Sequence, residues 1–230
     1  MSDLKNYRIL FEKKQNMKYI SHLDLNRCMT RCIRRSGLPA WYTEGFHPHL
    51  YLMFPLALSL GVESICEIMD FRLTEEIPES EILEKLNAVF PDGLRALRVG
   101  SPIHQAQEIT HAEYLLHLIA PELPDVFAYW EKFLSQPEIL IRKRTKKGFR
   151  EMDLKPFVQV IEAGELSGIP SNFQNSDKIL SLVIRLPAGN EQNMNINLIP
   201  ESFQNYAGKP VLTEYACRTK IFCENFQEFF

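Results

Sequence analysis

Four arginines, three histidines and a group of aromatic rings fall within about thirty residues near the start of this 230-residue chain. Arg27, Arg31, Arg34 and Arg35 recur at spacings of three to four, the period of an α-helix, so they form a cationic stripe. A guanidinium is a planar fork of fixed donors that suits phosphate and carboxylate oxygens. No Glu stands four residues away to pair with them, so their partners are to be sought outside the helix. The same spacing also fits a solvated helix face. Trp41, Tyr42, Phe46 and His47 follow, around a turn marked by Gly45 and Pro48. Flat rings beside a cationic helix suit stacking on unpaired bases; they suit equally well the closing of one end of a core. His47 and His49, completed by His22 or Asp24, have metal-ligand chemistry if three segments converge. A second cationic run, Arg142, Lys143, Arg144, Lys146 and Lys147, precedes Gly148 and reads as a hairpin tip. It is either a clamp on an RNA backbone, with Phe149 available to stack, or a solvated turn.

The elements that must position these residues are legible from periodicity. Ser21 is an N-cap with Asp24 three residues on, and Ile20 and Leu25 are placed as a staple. Leu25, Cys28, Met29, Cys32 and Ile33 make one apolar face, and Gly37 with Pro39 ends the helix, predicted over 21–36. Strands are expected over 7–13, 50–58, 65–73 and 94–99, with a helix over 79–89. This βαββαβ order predicts an α+β fold whose first domain, 1–100, is a ferredoxin-like split βαβ unit with an antiparallel sheet. Residues 101–110 read as a linker. Residues 111–230 read as a second, diverged ferredoxin-like domain, with strands over 112–120, 138–144, 149–154, 179–186, 193–198 and 211–222. Its helices are expected over 124–135, 155–163 and 200–206. Glu67 and Asp70 are strand carboxylates placed to pair with Arg31 or Arg35 across the sheet–helix interface.

Several of these positions together resemble a known family. Arg8, Lys13, Ser21-His22-Leu23-Asp24, Arg31, Arg34-Arg35, Gly37-Leu38-Pro39, Gly45-Phe46-His47-Pro48-His49, Leu58, Gly61-Val62-Glu63-Ser64 and Glu67 resemble the radical-SAM-linked family of unknown function. That domain is fused to cobalamin-binding radical SAM proteins or encoded beside one. The resemblance covers the first hundred residues and runs more weakly through 142–156 to Arg218. Within it Ser21, His22, Asp24, Gly45, Pro48, His49 and Glu67 stand as family-motif residues. The family turn has Asn where this chain has His47, and Pro where it has Leu50.

Composition narrows the classes. Residues 1–50 hold nine Lys/Arg against four Asp/Glu, and 141–156 hold seven against two, in a chain of net charge −3. Two basic stretches in an otherwise acidic chain point to localised anion contacts. The five cysteines form no CxxC, and no apolar run approaches a membrane span, which implies a reduced, cytoplasmic protein without a membrane segment. Cys28 and Cys32 begin the CxxxCxxC spacing of a radical SAM cluster, but position 35 is Arg35, so this chain is not itself the radical enzyme. No Walker A, GxGxxG, HExxH or GxSxG motif is present. The expectation is a non-catalytic accessory module, without cofactor or metal, that binds structured RNA (tRNA or rRNA), docks to a radical SAM partner enzyme, or both. The alternatives are a small metal-dependent enzyme built on His22, Asp24, His47 and His49, and a pure protein–protein adaptor.

Overall fold

The computed structural model describes residues 4–145, 148–166 and 179–230. Its contacts divide the chain into two compact units. The first takes residues through Thr110, with Gly189–Glu191 and Arg218–Phe230; the second takes His111–Ala188 and Gln192–Cys217. The chain thus returns to the first unit for its last thirteen residues, so the units are not the two consecutive stretches expected.

In the first unit, strand β1 is Lys5–Lys13, helix α1 is His22–Arg35, β2 is Leu52–Met53, β3 is Glu63–Leu73, α2 is Glu79–Asn87 and β4 is Leu94–Gly100. The sheet order is β4-β1-β3, with β2 also on β3, and each of these pairs is antiparallel. Alternation puts Tyr7, Ile9, Phe11, Met69, Phe71 and Leu73 in one core with Leu25, Met29 and Ile33 of α1 and Ile82 and Leu86 of α2. The second strand, expected over 50–58, forms a ladder only at Leu52–Met53. Pro55 cannot donate to a ladder, and the carbonyls of Leu56 and Ala57 accept from the Arg218 guanidinium instead. Helix α2 stops at Asn87, whose amide bonds both backbone groups of Ala96 on β4, at 3.0 and 2.9 Å.

In the second unit, β5 is His111–Ile119, α3 is Val126–Ser135, β6 is Leu140–Thr145, β7 is Gly148–Asp153, β8 is Gln159–Leu166, β9 is Ile179–Pro187 and α4 is Leu198–Ala207. The last strand, β10, is Leu212–Phe222 and contributes its residues up to Cys217 here. The order is β10-β5-β9-β8, while β6 and β7 form a separate hairpin. Trp130 and Phe133 of α3 meet Phe203 of α4 with ring centroids 5.4 and 5.5 Å apart. Two expectations are corrected. The helix expected over 155–163 is a 3-10 turn, Lys155–Phe157, followed by β8. Pro156 suits the first turn only, and the residues after it pair along β9. The strand expected over 193–198 is a turn leading into α4, with the Asn195 side chain accepting from the Asn197 N–H at 3.0 Å.

Candidate nucleic-acid interface

Helix α1 sets the geometry. Ser21 caps it: its Oγ accepts the Asp24 N–H at 3.1 Å and donates to Asp24 Oδ2 at 2.7 Å. Asp24 Oδ1 accepts from Arg27 Nη1 at 3.1 Å. The Ser21 hydroxyl, and after it Arg27, hold the Asp24 carboxyl below the usual carboxylate range. Arg27 is therefore matched within the helix, contrary to expectation. A Glu at i±4 was not the only possible mate; an Asp three residues back, fixed by the cap, serves. Arg34 donates from Nε to the Tyr42 hydroxyl at 3.2 Å, with its guanidinium 5.6 Å from that ring.

Arg31 and Arg35 differ. Both are exposed, and among the described residues neither has a hydrogen-bond or ion-pair partner. With Arg27, Cys28 and Cys32 they line a groove of about 570 Å³ whose other wall is Ala88–Pro91, past the end of α2. Cys28 is half-buried there. The adjacent Cys32 thiol, then the Arg31 charge, pull its thiol down to about 7. Cys32 is buried, donates to the Val89 carbonyl at 3.7 Å and is pushed up.

The turn beyond the helix is an exposed loop closed on itself. The Thr43 N–H donates to the His49 carbonyl at 2.8 Å, and the His49 N–H to Thr43 Oγ1 at 3.1 Å. Gly45 sits at φ +124, a conformation that side chains disfavour. Phe46 is 102% exposed, and His47, Pro48 and His49 are also exposed. Trp41 is half-buried and engaged: the Arg72 guanidinium lies 5.4 Å from its ring and 4.2 Å from that of Tyr51.

The four candidate metal ligands do not converge. His22 packs edge-on against Phe54, at 5.2 Å. Asp24 is spent on Ser21 and Arg27, and His49 Nδ1 lies 3.0 Å from Thr43 Oγ1. Among the described residues, the group of three whose ligand atoms lie within 4.8 Å of one another is instead His104, Glu108 and Cys223.

Glu67 and Asp70 do not meet Arg31 or Arg35. Arg8 stands opposite Asp70 in the β1–β3 ladder and grips it with Nε–Oδ1 at 2.6 Å and Nη2–Oδ2 at 2.8 Å. Phe229 covers this pair, 4.4 Å from the Arg8 guanidinium. Glu67 accepts from Arg218 Nη2 at 2.5 Å, with both side chains buried. Lys13 is buried beside them and donates to the Ile20 carbonyl at 3.4 Å. Burial pushes its ammonium below the ordinary 10.5; Glu67 opposes that shift and Arg218 adds to it. The Glu63 carboxylate accepts the Gln15 N–H at 2.9 Å. The motif position Glu67, with Lys13 and Arg218, thus builds a buried framework in the first unit, while the half-buried Glu63 ties the start of β3 to Gln15. Sequence spacing missed it because the partners of each carboxylate are far along the chain.

In the hairpin, Arg142 is exposed. Of Lys143 and Arg144 only the backbone is described, paired with Arg150 and Phe149. Lys146 and Lys147 lie outside the described residues. No helix among the described residues is long and apolar enough to cross a membrane.

The model of a family described as "Uncharacterized protein conserved in bacteria (DUF2344)" matches residues 6–196. Curated protein sequences yield no match. Among solved structures, the chain is similar to one in the crystal structure of a Cbf5-Nop10-Gar1 complex, at 11% identity and a TM-score of 0.45. The similarity covers 95% of this chain and 50% of that one, so this chain spans about half its length. It is also similar to an unknown protein from Galdieria sulphuraria, at 12% identity and a TM-score of 0.26, over 92% of this chain and 98% of that one. A third is the CRISPR endoribonuclease Cse3 bound to a 19 nt RNA, at 11% identity and a TM-score of 0.22, over 90% and 99%.

Proposed function

The chain belongs to this family of uncharacterized bacterial proteins, and we propose that it is a non-catalytic accessory module that grips the backbone of a structured RNA, of tRNA or rRNA type, and presents it to a radical SAM partner enzyme. The observation that carries this reading is the pair Arg31 and Arg35, exposed on one side of α1 and unmatched among the described residues. Two guanidiniums one turn apart above a groove suit successive phosphates. Phe46 and His47, exposed on the neighbouring loop, are the rings free to meet unpaired bases. Arg34 rests on Tyr42, and the basic run 142–147 is a second contact in this reading. The radical SAM partner comes from the motif resemblance alone. We also read both units as ferredoxin-like, the second diverged: the order β4-β1-β3-β2 recurs as β10-β5-β9-β8, with the β6–β7 hairpin as an insertion.

One observation favours an adaptor instead. Tyr19, Leu23 and Leu60 are 64%, 59% and 60% exposed: Tyr19 in the 3-10 turn Gln15–Tyr19 ahead of α1, Leu23 in the first turn of α1, and Leu60 in a turn joined to that 3-10 turn by a Gly61 N–H to Lys18 carbonyl bond. Exposed apolar side chains near one another mark protein contacts.

The test is titration of the protein onto tRNA and rRNA fragments over a salt series. Arg31→Ala/Arg35→Ala is expected to weaken binding by about tenfold or more and to lower the salt slope by about two. No RNA affinity at low salt, or an unchanged slope in the double variant, rejects the reading. Co-purification with a radical SAM enzyme after nuclease treatment, without RNA affinity, selects the adaptor.

A further inference from the structure

We infer that His104, Glu108 and Cys223 of the first unit are a binding site for a zinc-class divalent ion, separate from the cationic groove. His104 Nδ1 and Glu108 Oε2 are 2.8 Å apart, and Cys223 Sγ lies within 4.8 Å of a ring nitrogen of His104 and a carboxylate oxygen of Glu108. An ion held tetrahedrally at about 2.0–2.2 Å from nitrogen and oxygen and about 2.3 Å from sulfur needs donors about 3.3–3.6 Å apart, so His104 and Glu108 must part by about half an ångström to admit it. The hydrogen now shared by the imidazole and the carboxylate occupies the place the ion would take.

Each donor residue is fixed by a contact of its own. Arg8 Nη2 donates to the His104 carbonyl at 2.9 Å. The Gln105 N–H donates to Glu108 Oε1 at 2.7 Å, which leaves Oε2 for the site. Thr110 Oγ1 donates to the Cys223 carbonyl at 2.9 Å. Such outer contacts orient ligands and raise affinity. The Phe229 ring, itself 1% exposed, lies 6.2 Å from His104 and closes one side with an apolar wall.

Charge agrees. A thiolate and a carboxylate neutralise a dication, and the imidazole binds neutral. The nearby Arg8 charge is already balanced by Asp70. One nitrogen, one sulfur and one oxygen donor form a borderline set that favours zinc over magnesium or calcium, which prefer all-oxygen sites. Three protein donors leave a fourth position for water.

The test is cobalt titration of the chelator-stripped full chain. The expected result is one cobalt per chain with a thiolate-to-cobalt charge-transfer band, displaced by zinc. Cys223→Ser should abolish that band, and Glu108→Gln, which keeps an acceptor for the Gln105 N–H, should weaken binding by about tenfold or more. His49→Ala should change neither. Absence of the band in the unaltered chain overturns the proposal. So does a band that survives Cys223→Ser and vanishes in Cys28→Ser/Cys32→Ser, which places the ion in the groove.

Discussion

At the scale of single residues, the buried charges carry the sharpest expectations. Arg218 and Glu67 are each 1% exposed and joined at 2.5 Å. Taking two charges out of water is tolerable only because each finds the other and Arg218 also serves two carbonyls. Removing one partner strands its mate. Glu67→Gln or Arg218→Met should therefore lower stability by about 3–5 kcal/mol, read as a shift in the urea midpoint. The double variant should lose less than the sum. Lys13 makes a pH prediction. Its folded-state pKa lies below 10.5, so between that lowered value and 10.5 the unfolded chain binds the extra proton. Stability then rises with pH across this window. Lys13→Met should flatten that rise, measured as the difference in urea stability between the two proteins from neutral to alkaline pH. The imidazoles were the least legible residues: their type suggested a metal, but which of them share a site is decided by chain segments that spacing cannot bring together.

At the scale of elements, local rules located what local forces build. The cap, staple and apolar face of α1 placed it over 21–36, and the helix spans His22–Arg35. Where long-range contacts take over, the reading fails. The second strand is cut short because a side chain from residue 218 takes the carbonyls that a ladder would use. Gly93 shows the same dependence. It sits at φ +85, and an added Cβ would stand 2.6 Å from the Lys14 carbonyl oxygen and 2.9 Å from Met17 Cγ. The Lys14 N–H donates to its carbonyl at 2.8 Å, so the two segments cannot part easily. Gly93→Ala should cost more than about 1 kcal/mol by thermal or urea unfolding. Gly37→Ala meets no neighbour within 4 Å and carries only the backbone strain of φ +71.

At the scale of the whole chain, the return of Arg218–Phe230 to the first unit is the decisive feature. Phe229 covers the Arg8–Asp70 pair and is almost fully buried. Phe229→Ala should cost about 3–5 kcal/mol in stability. If the last residues were peripheral, the urea midpoint would not move. The same return brings Arg218 to Glu67 and Cys223 to His104 and Glu108, so both the framework and the inferred ion site depend on it.

What the amino-acid order determined unaided is the α+β character, the register of α1 and the cationic stripe, because helix period, capping and charge act over a few residues. Which carboxylates are buried and which imidazole meets a thiol were decided only on folding. Those outcomes hang on partners 62, 151 and more than 100 residues away. A pairing at that separation leaves no periodic mark on the chain, since its energy is realised only once the sheet and the returning C-terminal segment exclude water together.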